Sequence, residues 1–315
     1  MAKYSTADIR NIALVGHSGA GKTSLADAFL HTVGVTNRLG SVPEKTSHLD
    51  FMDEEKERGC SIDSAVIHIQ QDGKEINVID TPGSPDFIGL AIAALAGVET
   101  AACVIPASAG IEVNTRRMME KAKDYGLGRM IVVNKIDAEN ANLERLLGLI
   151  QEMFGQACQP FNLPTGSGQG VVDCLTQADG ESDFGSVADA HTALVEAVVE
   201  ADETLMEEYL EKGEVSADKL SSAVARAIAA GSFVPVFFTN ARSEVGVREL
   251  LSAVAAYAPS PIEGLKRVQK DGDEEKVVEP KIDGPFVGQV IKITGDPKSS
   301  IKYAVIRIHS GRIRS

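Results

Sequence analysis

Gly16-His17-Ser18-Gly19-Ala20-Gly21-Lys22-Thr23 follows the apolar run Ile12-Ala13-Leu14-Val15 and opens a helix-like stretch through Leu30. Every fixed position of the strand–GxxxxGK[ST]–helix phosphate loop is present in that context. Glycines let successive backbone N–H groups turn toward phosphate oxygens, and the helix N-terminus adds partial positive charge. His17, Ser18, Gly19, Ala20, Gly21 and Ser24 would line this cradle. Lys22 would reach the β and γ phosphates, and the Thr23 hydroxyl would ligate Mg²⁺. The motif implies a nucleoside triphosphate ligand.

Which base it takes is addressed by Asn134-Lys135-Ile136-Asp137, an NKxD box closing the strand-like run Met130–Val133. A carboxylate at Asp137 can accept from both guanine N1–H and N2–H₂, and adenine would leave it unpaired. The Asn134 amide would tie this loop to the phosphate loop, and the Lys135 stem would lie over the purine face. Between the two motifs, Val78-Ile79 runs into Asp80-Thr81-Pro82-Gly83. Asp80 would act on Mg²⁺ through a water, and the Gly83 N–H would face the γ-phosphate. Upstream, the charged run from Glu54 to Arg58 closes on Gly59-Cys60-Ser61. It is either a solvated loop or a switch whose Ser61 hydroxyl completes the metal shell in the GTP state.

Taken together, these residues resemble a translational GTPase, specifically elongation factor G and its elongation-factor-G-like paralogues. The landmarks are GHSGAGKT (16–23), DFMDEEKERGCSI (50–62), DTPGSPDF (80–87), NKID (134–137), FNLPTGSGQGVVDCL (161–175) and VPVFFTNARSEVGVRELL (234–251). The resemblance extends over essentially the whole chain. It implies GTP/GDP and Mg²⁺ as ligands, the ribosome as partner and GTP hydrolysis as activity; composition is that of a cytoplasmic protein, and with nothing to suggest obligate assembly a monomer is expected. It also implies that Asn240-Ala241 forms the remaining base loop, contacting guanine through the Ala241 backbone N–H. Three departures stand out. Ser84 occupies the position of the family's water-orienting histidine, which puts Lys22, Gly83 and Ser84 at a catalytic centre with weakened hydrolysis. A water-orienting group commonly accounts for ~10² to 10⁴ in rate. Gly19 replaces an acidic residue, and Ser61 replaces a threonine while keeping its hydroxyl. The competing reading is a binding module whose GTP and GDP forms differ in ribosome affinity with negligible hydrolysis. A P-loop kinase or ATPase is a third reading, at odds with Asp137.

Periodicity gives strands near 12–15, 64–70, 75–80, 101–106, 130–134 and 234–239. Gln71-Asp72-Gly73 marks the second and third as an antiparallel hairpin. Helices fall near 22–30, 87–96, 112–125, 143–154 and 245–257. This alternation predicts an α/β P-loop fold with a mostly parallel, helix-covered sheet and ligands at the strands' carboxyl ends. Residues 1–262 are expected to form the GTP-binding domain, with an α/β subdomain inserted at about 157–232. Within it, a loop is expected at 162–170, a strand at 170–175, an acidic helix at 191–211 and another helix from Ser216 to Ala230. Residues 263–285 read as a linker or strand edge, and 286–315 as the start of a truncated β-barrel domain.

Charge separates the same regions. The net charge is −14, yet 286–315 carries Lys292, Lys298, Lys302, Arg307, Arg312 and Arg314 against Asp296 alone. That basic end either faces ribosomal RNA, as the resemblance implies, or solvates a barrel strand; the acidic remainder argues against sequence-specific nucleic-acid binding. Met1-Ala2-Lys3-Tyr4-Ser5 lacks a signal-peptide pattern, and the apolar run 87–98 is too short to span a membrane. Cys60, Cys103, Cys158 and Cys174 show no metal spacing, which suggests a reducing compartment.

Overall fold

Strands covered on both faces are buried along nearly their whole length, and four segments meet that condition. They are β1 (Ile9–Val15), β4 (Thr100–Pro106), β5 (Gly128–Asn134) and β9 (Val234–Phe238). In the computed structural model they form the middle of a seven-stranded sheet, with β2 (Ala65–Gln71) and β3 (Lys74–Asp80) at one edge and β6 (Cys158–Pro160) at the other. The strand order is β2-β3-β1-β4-β5-β9-β6. Within this sheet only the β2–β3 pair is antiparallel among the described residues. Its turn places Asp72 and Gly73 at positive φ, as the sequence indicates. The structure describes residues 4–213, 215–272, 274–295, 299 and 301–313. Met1, Ala2 and Lys3 of the N-terminal reading, and Asp296, Lys298, Arg314 and Ser315 of the C-terminal one, lie outside them.

β1 pairs with β3 on one side and β4 on the other. The chain therefore reverses its winding at β1, and the phosphate loop lies at this switch point, where open α/β sheets bind ligands. Helices α1 (Lys22–Thr32) and α9 (Val247–Tyr257) pack on each other and on β2 and β3. Helices α3 (Ile88–Ala96) and α4 (Val113–Asp124) pack on each other, with α3 against β1 and α4 against β4 and β5. The short helix α2 (Asp53–Arg58) lies within the charged run read as loop. It forms because Gly59 ends it in a left-handed conformation and acids fill its first turn.

Between β5 and β9 come α5 (Leu143–Phe154), β6, the hairpin β7 (Asn162–Thr165) with β8 (Gly170–Asp173), α6 (Val187–Val199), α7 (Glu203–Lys212) and α8 (Ala217–Ala230). The expected 162–170 loop is thus a strand plus a tight turn. Buried Asn162 anchors it, accepting from the Phe238 N–H at 2.7 Å. The single helix expected over 191–211 is two helices. Asp202 interrupts it by capping the Leu205 N–H and pairing with Arg226 at 2.6 Å. The 263–285 stretch carries the hairpin β10 (Arg267–Asp271) and β11 (Glu274–Val278). A second hairpin joins β12 (Val287–Gly295) to β13 (Lys302–Ser310).

Candidate phosphate and base-loop site

The phosphate loop leaves β1 at Gly16, whose φ of +132° belongs to glycine; a Cβ there would meet the Val104 carbonyl oxygen at 2.4 Å. At its far end Gly21 (φ +93°) caps α1, and a Cβ would strike Asn134 Nδ2 at 2.4 Å. Close backbone approach to β4 and to the base loop therefore excludes side chains at both positions. Lys22 is buried, and its ammonium donates to the carbonyls of Gly16 (3.1 Å) and His17 (2.8 Å). Burial pulls its pKa down, and the carboxyl of Asp80 opposes that shift. A cation folded under its own loop suits an anion resting on that loop.

Thr23 links two other segments. Its hydroxyl donates to Asp80 Oδ2 at 2.8 Å and lies 2.9 Å from the Ser61 hydroxyl. Burial drives the Asp80 carboxyl up to about 7, with Asp50 and Asp27 adding to it and Lys22 and Thr23 opposing. Asp80 Oδ1 is buried and has no partner among the described residues. Two hydroxyls and an unpaired carboxylate oxygen are a hard, anionic donor set, which fits Mg²⁺. Asp50, not singled out from sequence, lies behind them with its carboxyl raised to about 6, chiefly by burial and then by Glu55 and Asp27.

Two further positioning groups escaped the motif reading. Buried Glu55 accepts the backbone N–H groups of Met52 (3.1 Å), Ile62 (2.9 Å) and Asp63 (3.1 Å), bracketing Ser61. Buried Asn114 donates to the Gly83 carbonyl at 2.8 Å. Gly83 itself lies so close to the phosphate loop that a Cβ would meet Lys22 Nζ and Ser18 N, each at 2.5 Å. Ser84 follows, half-buried, its carbonyl accepting from the Phe87 N–H at 3.1 Å. His17 pairs with Glu112 at 3.3 Å.

On the base side, Asn134 donates to the Ala20 carbonyl (3.2 Å) and accepts from the Ala241 N–H (3.0 Å). The Ala241 N–H thus faces Asn134 in this structure. Lys135, at φ +63°, reaches across to the Gly19 carbonyl at 2.8 Å. Asp137 is exposed. Asn240 shapes its own turn, its side-chain oxygen accepting from the N–H of Arg242 at 3.0 Å. A cavity of about 190 Å³ runs along Gly21, Lys22, Thr23, Ser61, Gly83 and Lys135. A larger one of about 490 Å³ lies between the sheet and the β12–β13 hairpin, with mainly aliphatic walls. The buried lysine, the Thr23 hydroxyl that meets Asp80 and the Ser61 hydroxyl that meets Thr23 belong to the smaller cavity, which makes it the candidate site.

Residues 7–260 match the family model described as elongation factor Tu GTP binding domain. Over 323 residues the chain is 35% identical to an elongation factor G-like protein of Mycobacterium tuberculosis, found in strains CDC 1551 / Oshkosh and H37Rv. That match covers 97% of this chain and 45% of the relative. A crystal structure of a Thermus thermophilus protein superposes with a TM-score of 0.83 at 31% identity, covering 98% of this chain and 46% of that one. The chain therefore spans less than half the length of these relatives.

Proposed function

This chain belongs to the elongation factor Tu GTP-binding domain family of translational GTPases, and from that premise we propose that it binds GTP and GDP with Mg²⁺ and hydrolyses GTP slowly in association with the ribosome. The observation that carries the reading is convergence on one rim. Lys22 and Thr23, Ser61, Asp80 and Gly83, and Asn134 with Lys135 come from four separated loops and are joined by direct hydrogen bonds or close contacts.

In this reading Lys22 turns its ammonium from the loop carbonyls onto the β and γ phosphates. Thr23 and Ser61, with Asp80 acting through a water, would hold Mg²⁺, which would supply positive charge opposite the transferred phosphoryl group. Gly83, seated by Asn114, offers its N–H to the γ-phosphate. Asp137 reads guanine, while Asn134 keeps the base and phosphate loops in register. Residues 1–262 act as the GTP-binding domain with its insert at about 157–232. Residues 263–285 are a linker that folds as a hairpin, and 286–315 begin a barrel domain. The protein works as a cytoplasmic monomer.

Ser84 favours a second reading. A short hydroxyl lacks an imidazole's reach and proton affinity, so the chain can serve as a nucleotide-state ribosome-binding module with negligible turnover. Calorimetric titration and phosphate release with and without ribosomes separate these readings. Guanine nucleotides should bind at least about 100-fold more tightly than ATP, because a carboxylate covered by the bound base rejects mismatched donors. Ser84→His should accelerate phosphate release. ATP binding equal to GTP, unaltered by Asp137→Asn, would overturn the guanine assignment.

A further inference from the structure

After Ser61 the chain passes through Ile62, Asp63 and Ser64 without regular structure before entering β2. Two groups hold this short segment. Glu55 takes the Ile62 and Asp63 N–H groups from the α2 side. The other comes from 228 residues further along the chain. Lys292 Nζ of β12 lies 2.9 Å from Asp63 Oδ2 and donates to the Ser64 carbonyl. Lysine ordinarily keeps its ammonium in water. Here the Lys292 side chain is only 12% exposed and that of Asp63 19%, so the contact is specified.

The arm has a firm base. Ile291 packs against Gly97, where a Cβ would meet its Cγ2 at 2.8 Å. On β13, Arg307 makes a two-point pair with Glu99 at 2.8 and 3.1 Å, and Asn11 of β1 donates to the same carboxylate at 2.6 Å. The hairpin is thereby bolted to the sheet. Lys292 reaches from it to a residue two positions beyond the hydroxyl that meets Thr23.

We propose that Lys292 is a positioning residue for the Ser61 segment: its pairing with Asp63 favours the arrangement in which Ser61 meets Thr23, and so makes preference for GTP over GDP depend on the seated C-terminal hairpin. The proposal rests on Ser61 acting as the γ-phosphate-linked side of the site. A ligand shifts a two-state segment only by its differential affinity for the two states. GTP requires Ser61 engaged and GDP does not. Loss of the Lys292 ammonium lowers the engaged fraction, so the apparent GTP affinity falls by that fraction while GDP affinity stays level. By reciprocity, bound GTP holds the hairpin more firmly on the sheet.

The test uses the full chain with Mg²⁺, titrated with GDP and with a non-hydrolysable GTP analogue. Lys292→Met and Asp63→Asn should each weaken analogue binding roughly three- to tenfold and leave GDP within about twofold, as for a partly buried ion pair. The double variant should be no weaker than the worse single variant, and Lys292→Arg should retain the wild-type ratio. An unchanged analogue-to-GDP ratio in both single variants, or equal weakening of both ligands, would reduce Lys292 to a structural brace and overturn the proposal. If Lys292→Met does not fold, Asp63→Asn carries the test from the opposite side. Wild-type protein binding neither ligand would instead defeat the guanine-nucleotide reading, and this proposal with it.

Discussion

Replacing Asn134 by alanine isolates the joint between the two halves of the site. Asn134 is 1% exposed and bonds in both directions, to the Ala20 carbonyl at 3.2 Å and from the Ala241 N–H at 3.0 Å. Its 3.5 Å contacts to Gly21 and Thr239 are too long to add much. Alanine would orphan one buried carbonyl and one buried N–H. Each unpaired group costs about 1–3 kcal/mol, so the pair amounts to roughly 2–6 kcal/mol. Water entering from the adjoining cavity brings the expected loss toward the lower half of that range. Urea unfolding followed by circular dichroism measures it, and a GDP titration should show at least tenfold weaker binding. A second variant sharpens the test. In wild type a Gly21 Cβ would strike Asn134 Nδ2 at 2.4 Å. Gly21→Ala should therefore cost less in the Asn134→Ala background than alone, because only its φ strain remains. A loss under about 1 kcal/mol, or strict additivity of the two changes, would refute the account of a shared, close-packed joint.

Two further outcomes follow from the titratable groups. Asp80 and Asp50 titrate in the folded chain near 7 and 6, against an ordinary aspartate value of 3.8. From about pH 4 to 7 the folded form thus binds more protons than the unfolded form, and stability falls as pH rises. Melting without divalent ions should show that decline, and Asp80→Asn should flatten it; identical profiles for the two proteins would contradict the raised carboxyl. Cys103, Cys158 and Cys174 are buried, with thiols pushed up to about 12 by burial, whereas half-buried Cys60 lines the phosphate cavity. A disulfide reagent should titrate one thiol quickly, more slowly with GDP bound. Two fast thiols in the native protein would contradict this.

The sheet was legible because each inner strand carries an apolar run, at 12–15, 101–106, 130–133 and 234–238, as a covered strand requires. The turn at Asp72-Gly73 was legible for the opposite reason: local chemistry alone dictates its backbone. Elements whose formation depends on distant partners were not. β6 spans Cys158–Pro160 and exists because β9 supplies its parallel neighbour. The strand β7 needs Asn162 to meet Phe238, 76 residues away. The break between α6 and α7 turns on Asp202, which reads as one more acid on a helix face until Arg226 is brought beside it.

The same division runs through the site. Lys22, Thr23, Asp80, Asn134 and Lys135 announce themselves by spacing, since in the proposed reading each stands at a fixed offset from a strand end to reach a common ligand. Glu55, Asn114 and Lys292 carry no such offset, because they act on the segments around Ser61 and Gly83 rather than on a ligand. Glu55 resembles any acid in a charged run, but three N–H groups converge on it and leave it 2% exposed. Lys292 resembles a solvating lysine on an alternating strand until the fold brings Asp63 to it. Motif spacing therefore identifies the groups that would touch a ligand, and tertiary packing identifies the groups that decide when those can move. Ser61 is the residue where the two sets meet: its hydroxyl faces Thr23, and the chain on either side of it is held by Glu55 and Lys292.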